Sequence, residues 1–131
     1  MTRFFTLFAM LALVLALAPA GVAAGTARCS VSVDPAVGGP TDVYRIHVTN
    51  VPVDPDGGSV EFQLEIRRLG SREGSVYWVF LVPGVTEFYV DHNAPPPGEP
   101  PTELAPGRYL VSAHVSHDTG CYATARFVVE A

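Results

Sequence analysis

The chain has 131 residues, a net charge of −5 and arginine for every one of its 8 basic residues. That length is expected to make one ordinary domain, not two. An acidic balance with no basic run speaks against nucleic acid and anionic lipid as partners.

Met1-Thr2-Arg3 is a short positive start, Phe4 to Leu17 is an uncharged run that is apolar but for Thr6, and Ala18 to Ala24 is small and helix-breaking. This is the pattern of a secretory signal peptide over residues 1–24, with Val22 and Ala24 as the small residues before the cut. The alternative is a retained anchor, but the run falls short of the roughly 20 residues that span a bilayer. No stable membrane span is expected after cleavage, because no second run is long enough. Thr26-Ala27-Arg28 is not the small apolar approach to Cys29 that a lipid anchor needs. Residues 25–131 are therefore expected to be a secreted, periplasmic or cell-envelope domain.

That domain reads as strands, with period-2 alternation between Gly/Pro turns and no competing helical period. The first strand is Cys29 to Asp34, followed by a turn at Val37-Gly38-Gly39-Pro40. Val43 to Val51 is the second, with Tyr44, Ile46 and Val48 on one face. Asp54-Pro55-Asp56-Gly57-Gly58 is a turn. The third strand starts at Val60 and alternates cleanly: Phe62, Leu64 and Ile66 inward, Gln63 and Glu65 outward. Gly70 to Ser75 closes a hairpin onto Val76 to Val82, a strand apolar on both faces. Thr86 to Asp91 is the fifth strand, Arg108 to Ser116 the sixth and Cys121 to Glu130 the seventh. Between them, His92 to Pro106 holds half of the chain's 12 prolines. Such a segment cannot enter a sheet interior and is expected to be a stiff surface loop.

About seven short strands in this length predict an all-β, immunoglobulin-like β-sandwich. Ala105 to Val115, with its Pro106-Gly107-Arg108-Tyr109-Leu110-Val111 start, resembles the Pro-Gly-x-Tyr-x-Val strand of bacterial immunoglobulin-like, fibronectin-III-like and PKD-type domains. Asp118 to Val129 is similar to their last hairpin. The resemblance implies that Tyr109 holds the start of its strand against the preceding loop. The PKD Trp-Asp-Phe-Gly-Asp-Gly stretch is missing, and Trp78 falls on the fourth strand instead of the third. The resemblance implies a fold and gives function only by analogy.

Cys29 and Cys121 share the core parity of their strands, and each sits at a strand start. In an exported chain they are expected to form a disulfide bond. Two thiols alone are too few for a metal site.

Candidate sites are few. A strand apolar on both faces must be covered twice or expose one face. Val76, Trp78, Phe80 and Val82 are the bulkier set and are expected inside. Tyr77, with nearby Tyr89, then offers an aromatic platform for sugars or protein partners, unless the Pro-rich loop or a central position covers that face. Asp54 and Asp56 suit a turn better than a calcium loop, because Ser59 stands where an EF-hand needs glycine. His114 and His117 point to opposite faces of a strand, and His47 and His114 both point outward. No metal or cofactor is expected. No Gly-x-Ser-x-Gly elbow or His-Glu-x-x-His motif occurs, and Asp91-His92 is the one pair that could assist a serine. The expectation is a non-enzymatic binding or structural module whose partner is a protein or cell-envelope polysaccharide. It would use Tyr77, Tyr89 and the Pro95-Pro96-Pro97 loop. The alternative is an inhibitor or accessory subunit that presents the Pro-rich loop to another exported protein.

Overall fold

The computed structural model describes residues 29–115 and 121–131. The signal peptide expected at residues 1–24, and Ser116, His117 and Asp118, lie outside the described residues. Among the described residues the elements are all strands: β1 (Ser30–Asp34), β2 (Val37–Gly38), β3 (Tyr44–Thr49), β4 (Val60–Arg68), β5 (Gly74–Leu81), β6 (Phe88–His92), β7 (Gly107–Val115) and β8 (Tyr122–Val129). One sheet has the order β1-β3-β6 and the other β2-β8-β7-β4-β5. This is the connectivity of an immunoglobulin-like β-sandwich: β4–β5 and β7–β8 are hairpins within one sheet, and the other connections cross between the layers.

The eighth strand is a correction to the turn expected at Val37-Gly38. After Pro35 the chain crosses from the first sheet to the second, where Val37 and Gly38 pair in parallel with Val128 and Val129. Ala36 O and Gly38 O accept hydrogen bonds from Val128 N–H and Glu130 N–H at 2.9 and 2.8 Å. Two residues are too few for an alternation to be visible, and their partner lies at the far end of the chain.

The core forms where the alternating faces of the two sheets meet. Tyr44, Ile46 and Val48 from β3 oppose Phe62, Leu64 and Ile66 from β4 and Val111, Ala113 and Phe127 from β7 and β8. Phe127 lies between two tyrosines, with ring centroids 4.5 Å from Tyr44 and 4.9 Å from Tyr109. Both tyrosines carry their hydroxyls to the rim of the core: Tyr44 Oη donates to Gly39 O at 2.8 Å and Tyr109 Oη to Ala105 O at 2.6 Å. The second bond ties the start of β7 to the loop before it. A buried aromatic thus contributes its apolar area without stranding its polar end.

Cys29 and Cys121 form a disulfide bond across 92 positions, with Cα atoms 5.1 Å apart. It joins the start of β1 in one sheet to the start of β8 in the other, and both residues are buried.

Strand β5 is placed at the free end of its sheet, and its faces are the reverse of those expected. In the β4–β5 ladder, Phe62 is opposite Val79 and Leu64 opposite Tyr77, while Gln63 is opposite Trp78. Directly opposed residues share a face. The clean alternation of β4 therefore carries Tyr77, Val79 and Leu81 inward and Val76, Trp78 and Phe80 outward. The hairpin sets this register. Arg68 N–H donates to Glu73 O at 3.2 Å, Ser71 N–H donates to Arg68 O at 3.2 Å, and Gly70 takes φ 79° to close the turn. A slip of one residue would have buried the bulkier set; the ladder with β7 already fixes the core face of β4, so the hairpin register decides which set of β5 side chains goes inward.

Candidate functional site

The outer face of the five-stranded sheet displays a run of apolar side chains on β5. Val76 is 50 % exposed, Trp78 54 %, Phe80 69 % and, just past the strand, Val82 67 %. Together they make a continuous stripe. Strand β5 pairs only with β4 among the described residues, and Gly74–Leu81 contains no charged residue and no proline. Edge strands ordinarily carry such features to prevent unwanted pairing. Their absence sets β5 apart from an ordinary edge.

Register extends this face across the sheet. Trp78 is opposite Gln63, Gln63 opposite His114, and His114 opposite Tyr122. These four side chains form one row over β5, β4, β7 and β8. Tyr122 is 67 % exposed, and its ring lies 6.4 Å from that of His114. A parallel row places Val76, Glu65, Ser112 and Thr124 beside it. A shallow depression of about 200 Å³ opens at the β7–β8 side, walled by Glu65, Ser112, His114 and Tyr122 among others.

Tyr77 and Tyr89 do not form the expected platform. Tyr77 points between the sheets, where its hydroxyl meets His92 Nδ1 at 2.8 Å. Burial raises the Tyr77 pKa above the usual phenol range. Tyr89 lies on the outer face of the other sheet, stacked on His47 with centroids 4.1 Å apart and planes 8° from parallel. Arg45 reaches over the same ring, its Cζ 5.3 Å from the centroid, and bonds Asp91 through Nε at 2.9 Å and an Nη at 3.3 Å. That hydrogen bond holds the Asp91 carboxyl below its usual range.

Asp91 and His92 are likewise divided. Successive strand residues face opposite ways, so Asp91 points to solvent and His92 is buried at 7 % exposure. Burial lowers the His92 pKa, which favours the neutral imidazole. His47 and His114 are on the outer faces of different sheets, so they do not approach one another. Asp54 closes its own turn: its Oδ1 accepts from Asp56 N–H and its carbonyl from Gly57 N–H, both at 2.9 Å.

The Pro-rich loop is an ordered surface feature. Pro96-Pro97-Gly98-Glu99 makes a turn with Glu99 N–H bonded to Pro96 O at 3.0 Å and Gly98 at φ 82°. Proline followed by a left-handed glycine is the pattern of a type II turn. Pro96 and Pro97 are exposed and Pro95 is half-buried. At its base, the Asn93 amide contacts Pro40 O, Asp42 O and Thr102 O at 3.3, 3.1 and 3.0 Å. The loop leaves the outer face of β5 open to solvent.

Among the residues of this face, sequence reasoning assigned His114 an outward position but missed Trp78 and Tyr122. The signal for Trp78 was the hairpin: a turn closing Arg67 onto Gly74 dictates the parity of every later residue in β5.

These features define a small, disulfide-bridged, two-sheet β-sandwich with an aromatic outer face. No protein-family model matches the chain, and no curated protein does. Its likenesses to solved structures are distant. A superoxide reductase (neelaredoxin) from Ignicoccus hospitalis aligns at TM-score 0.48 and 10 % identity, covering 77 % of this chain and 79 % of that one. A β-glucosidase from Erythrobacter marinus aligns at TM-score 0.46 and 17 % identity over 77 % of this chain but 15 % of its own. The CARDB domain of a Pyrococcus furiosus protein, in complex with di-metal ions, aligns at TM-score 0.46 and 20 % identity, covering 78 % and 90 %.

Proposed function

We propose that the chain is an exported, non-enzymatic binding module of the cell envelope or extracellular space, and that it binds through the outer face of the five-stranded sheet. The observation that carries this reading is the exposed stripe Val76, Trp78, Phe80 and Val82 on an uncharged edge strand. Contiguous apolar surface on a small domain marks an interaction site. The leader pattern and the buried disulfide support export, since disulfides persist in oxidising compartments. The test is co-sedimentation of the oxidised protein with purified envelope material. Retention is expected for the native chain and lost in Trp78→Ala/Phe80→Ala with an unchanged circular dichroism spectrum. Equal retention of that variant would remove this face from consideration.

A second reading is an inhibitor or accessory subunit acting through the Pro-rich loop. The turn at Pro96–Glu99 and the Asn93 clamp favour it, because a loop already held in one shape loses less entropy on docking. Replacing Pro96 and Pro97 by serine would then abolish a stoichiometric complex with another exported protein and leave envelope retention through Trp78 unchanged.

A further inference from the structure

We infer that the outer face of the five-stranded sheet binds an uncharged, β-1,4-linked polysaccharide laid across the strands along the row Trp78–Gln63–His114–Tyr122. This rests on the reading of that face as the binding surface and names its ligand.

The row has aromatic ends and a polar middle. Three strand spacings of about 4.8 Å separate its ends by about 14 Å, the scale of a short run of linked pyranose rings. A pyranose presents an apolar C–H face that stacks on an aromatic ring, and a rim of hydroxyls that both donate and accept. Trp78 and Tyr122, both more than half exposed, supply the stacking surfaces. Gln63 supplies an amide with donors and an acceptor, and His114 an imidazole with one of each when neutral. An apolar protein surface covering this row would strip water from Gln63 and His114 without replacing their hydrogen bonds, which is costly. Sugar hydroxyls replace them.

Charge narrows the ligand further. Glu61 and Glu65 stand on β4 at the outward positions on either side of Gln63, opposite Phe80 and Val76. Their carboxylates accept bonds from hydroxyls and repel an anionic chain. Farther along the strand, Arg67, opposite Leu110, is the one cation that joins Glu65, His114 and Tyr122 in lining the depression at the β7–β8 side, where it balances the Glu65 carboxylate. The depression beside His114 and Tyr122 gives room for a ring substituent. An extended β-1,4 chain keeps its pyranose rings in one line with their faces available for stacking, which suits two ring surfaces carried on one sheet face.

The chain has one tryptophan, so its emission reports stacking at Trp78 directly. The oxidised protein would be titrated with cellohexaose, chitohexaose and xylohexaose, with polygalacturonate as the anionic comparison. At least one neutral hexaose is expected to shift the emission to the blue and protect it from iodide. Gln63→Ala and Tyr122→Ala should each weaken that binding at least tenfold, while Thr124→Ala, on the same face but off the row, should not. Silence from all three hexaoses up to millimolar concentration overturns the proposal, as does a response to polygalacturonate alone or full affinity in Tyr122→Ala. If the hexaoses fail while envelope retention still depends on Trp78, the surface reading stands and its ligand is something other than a neutral β-1,4 glycan. If retention ignores Trp78, the surface reading itself has failed.

Discussion

Tyr77 and His92 meet in the space between the two sheets, hydroxyl to Nδ1 at 2.8 Å, so an edge strand of one layer is tied to an edge strand of the other by a polar contact. The imidazole is buried, and burial lowers its pKa. The unfolded chain therefore takes up a proton on His92 more readily than the folded chain. Stability from the neutral ring is fully present above the unfolded pKa of about 6.5 and is lost as pH falls below it. Denaturant midpoints measured from pH 8 to pH 5 should fall across that window, and His92→Phe should flatten the fall. Glu73 and Glu103, which line the same cavity as His92, are unchanged in that variant. Tyr77→Phe leaves Nδ1 without its partner and should cost about 1–2 kcal/mol at neutral pH.

Phe127 stacks between Tyr44 and Tyr109 and is 1 % exposed. Phe127→Ala would open a cavity that three strands cannot close together, and should cost about 3–5 kcal/mol. Phe80→Ala removes the same side chain from a site 69 % exposed and should stay within about 0.5 kcal/mol. Urea titrations of the two variants separate a core role from a surface role for the same residue type.

The Cys29–Cys121 bond closes a loop of 92 positions. The chain-entropy account gives a stabilisation of about 4–5 kcal/mol for loops of that size. Thermal unfolding with and without reductant, and of a Cys29→Ala/Cys121→Ala variant, should show a large and equal loss in both. A much smaller loss would mean that the reduced, unfolded chain stays compact.

The reversed faces of β5 give a paired test. Trp78→Lys places a charge in solvent on an unprotected edge and should leave stability within about 0.5 kcal/mol while lowering self-association on concentration. Val79→Lys puts the same charge against the core beside Phe62 and should prevent folding or cost more than about 3 kcal/mol. Sedimentation and denaturation of the two neighbours would settle the register of the strand.

Where one face of a strand is apolar and the other polar, the sequence could be read directly. That holds for β3 with Tyr44, Ile46 and Val48, for β4 with Phe62, Leu64 and Ile66, and for the cysteines that share core parity with their strands. The Tyr109 contact was implied by the Pro-Gly-x-Tyr pattern, and its hydroxyl does bond the loop before β7. Strand β5 could not be read this way, because both of its faces are apolar and side-chain bulk is a weaker constraint than hairpin register. His92 was misjudged because β6 runs one residue further than its hydrophobic pattern, which turns a loop-like histidine into the core. The candidate row depends on three ladders at once, and only a known strand order aligns Trp78 with Tyr122.

The bond between the first residue of the described fold and the start of its last strand also governs how the domain carries load. A force applied at Cys29 and at the C-terminus passes through the disulfide and into β8, bypassing the strands between them. The enclosed loop cannot lengthen while the bond is intact. The extensible part is the segment after Cys121, at most about 3.3–3.6 Å for each residue drawn out, and it is gained only by shearing β8 from β7 and β2. In its oxidised form the sandwich is a short, stiff link under tension, and reduction would let the enclosed strands lengthen as well once the domain unfolds under load.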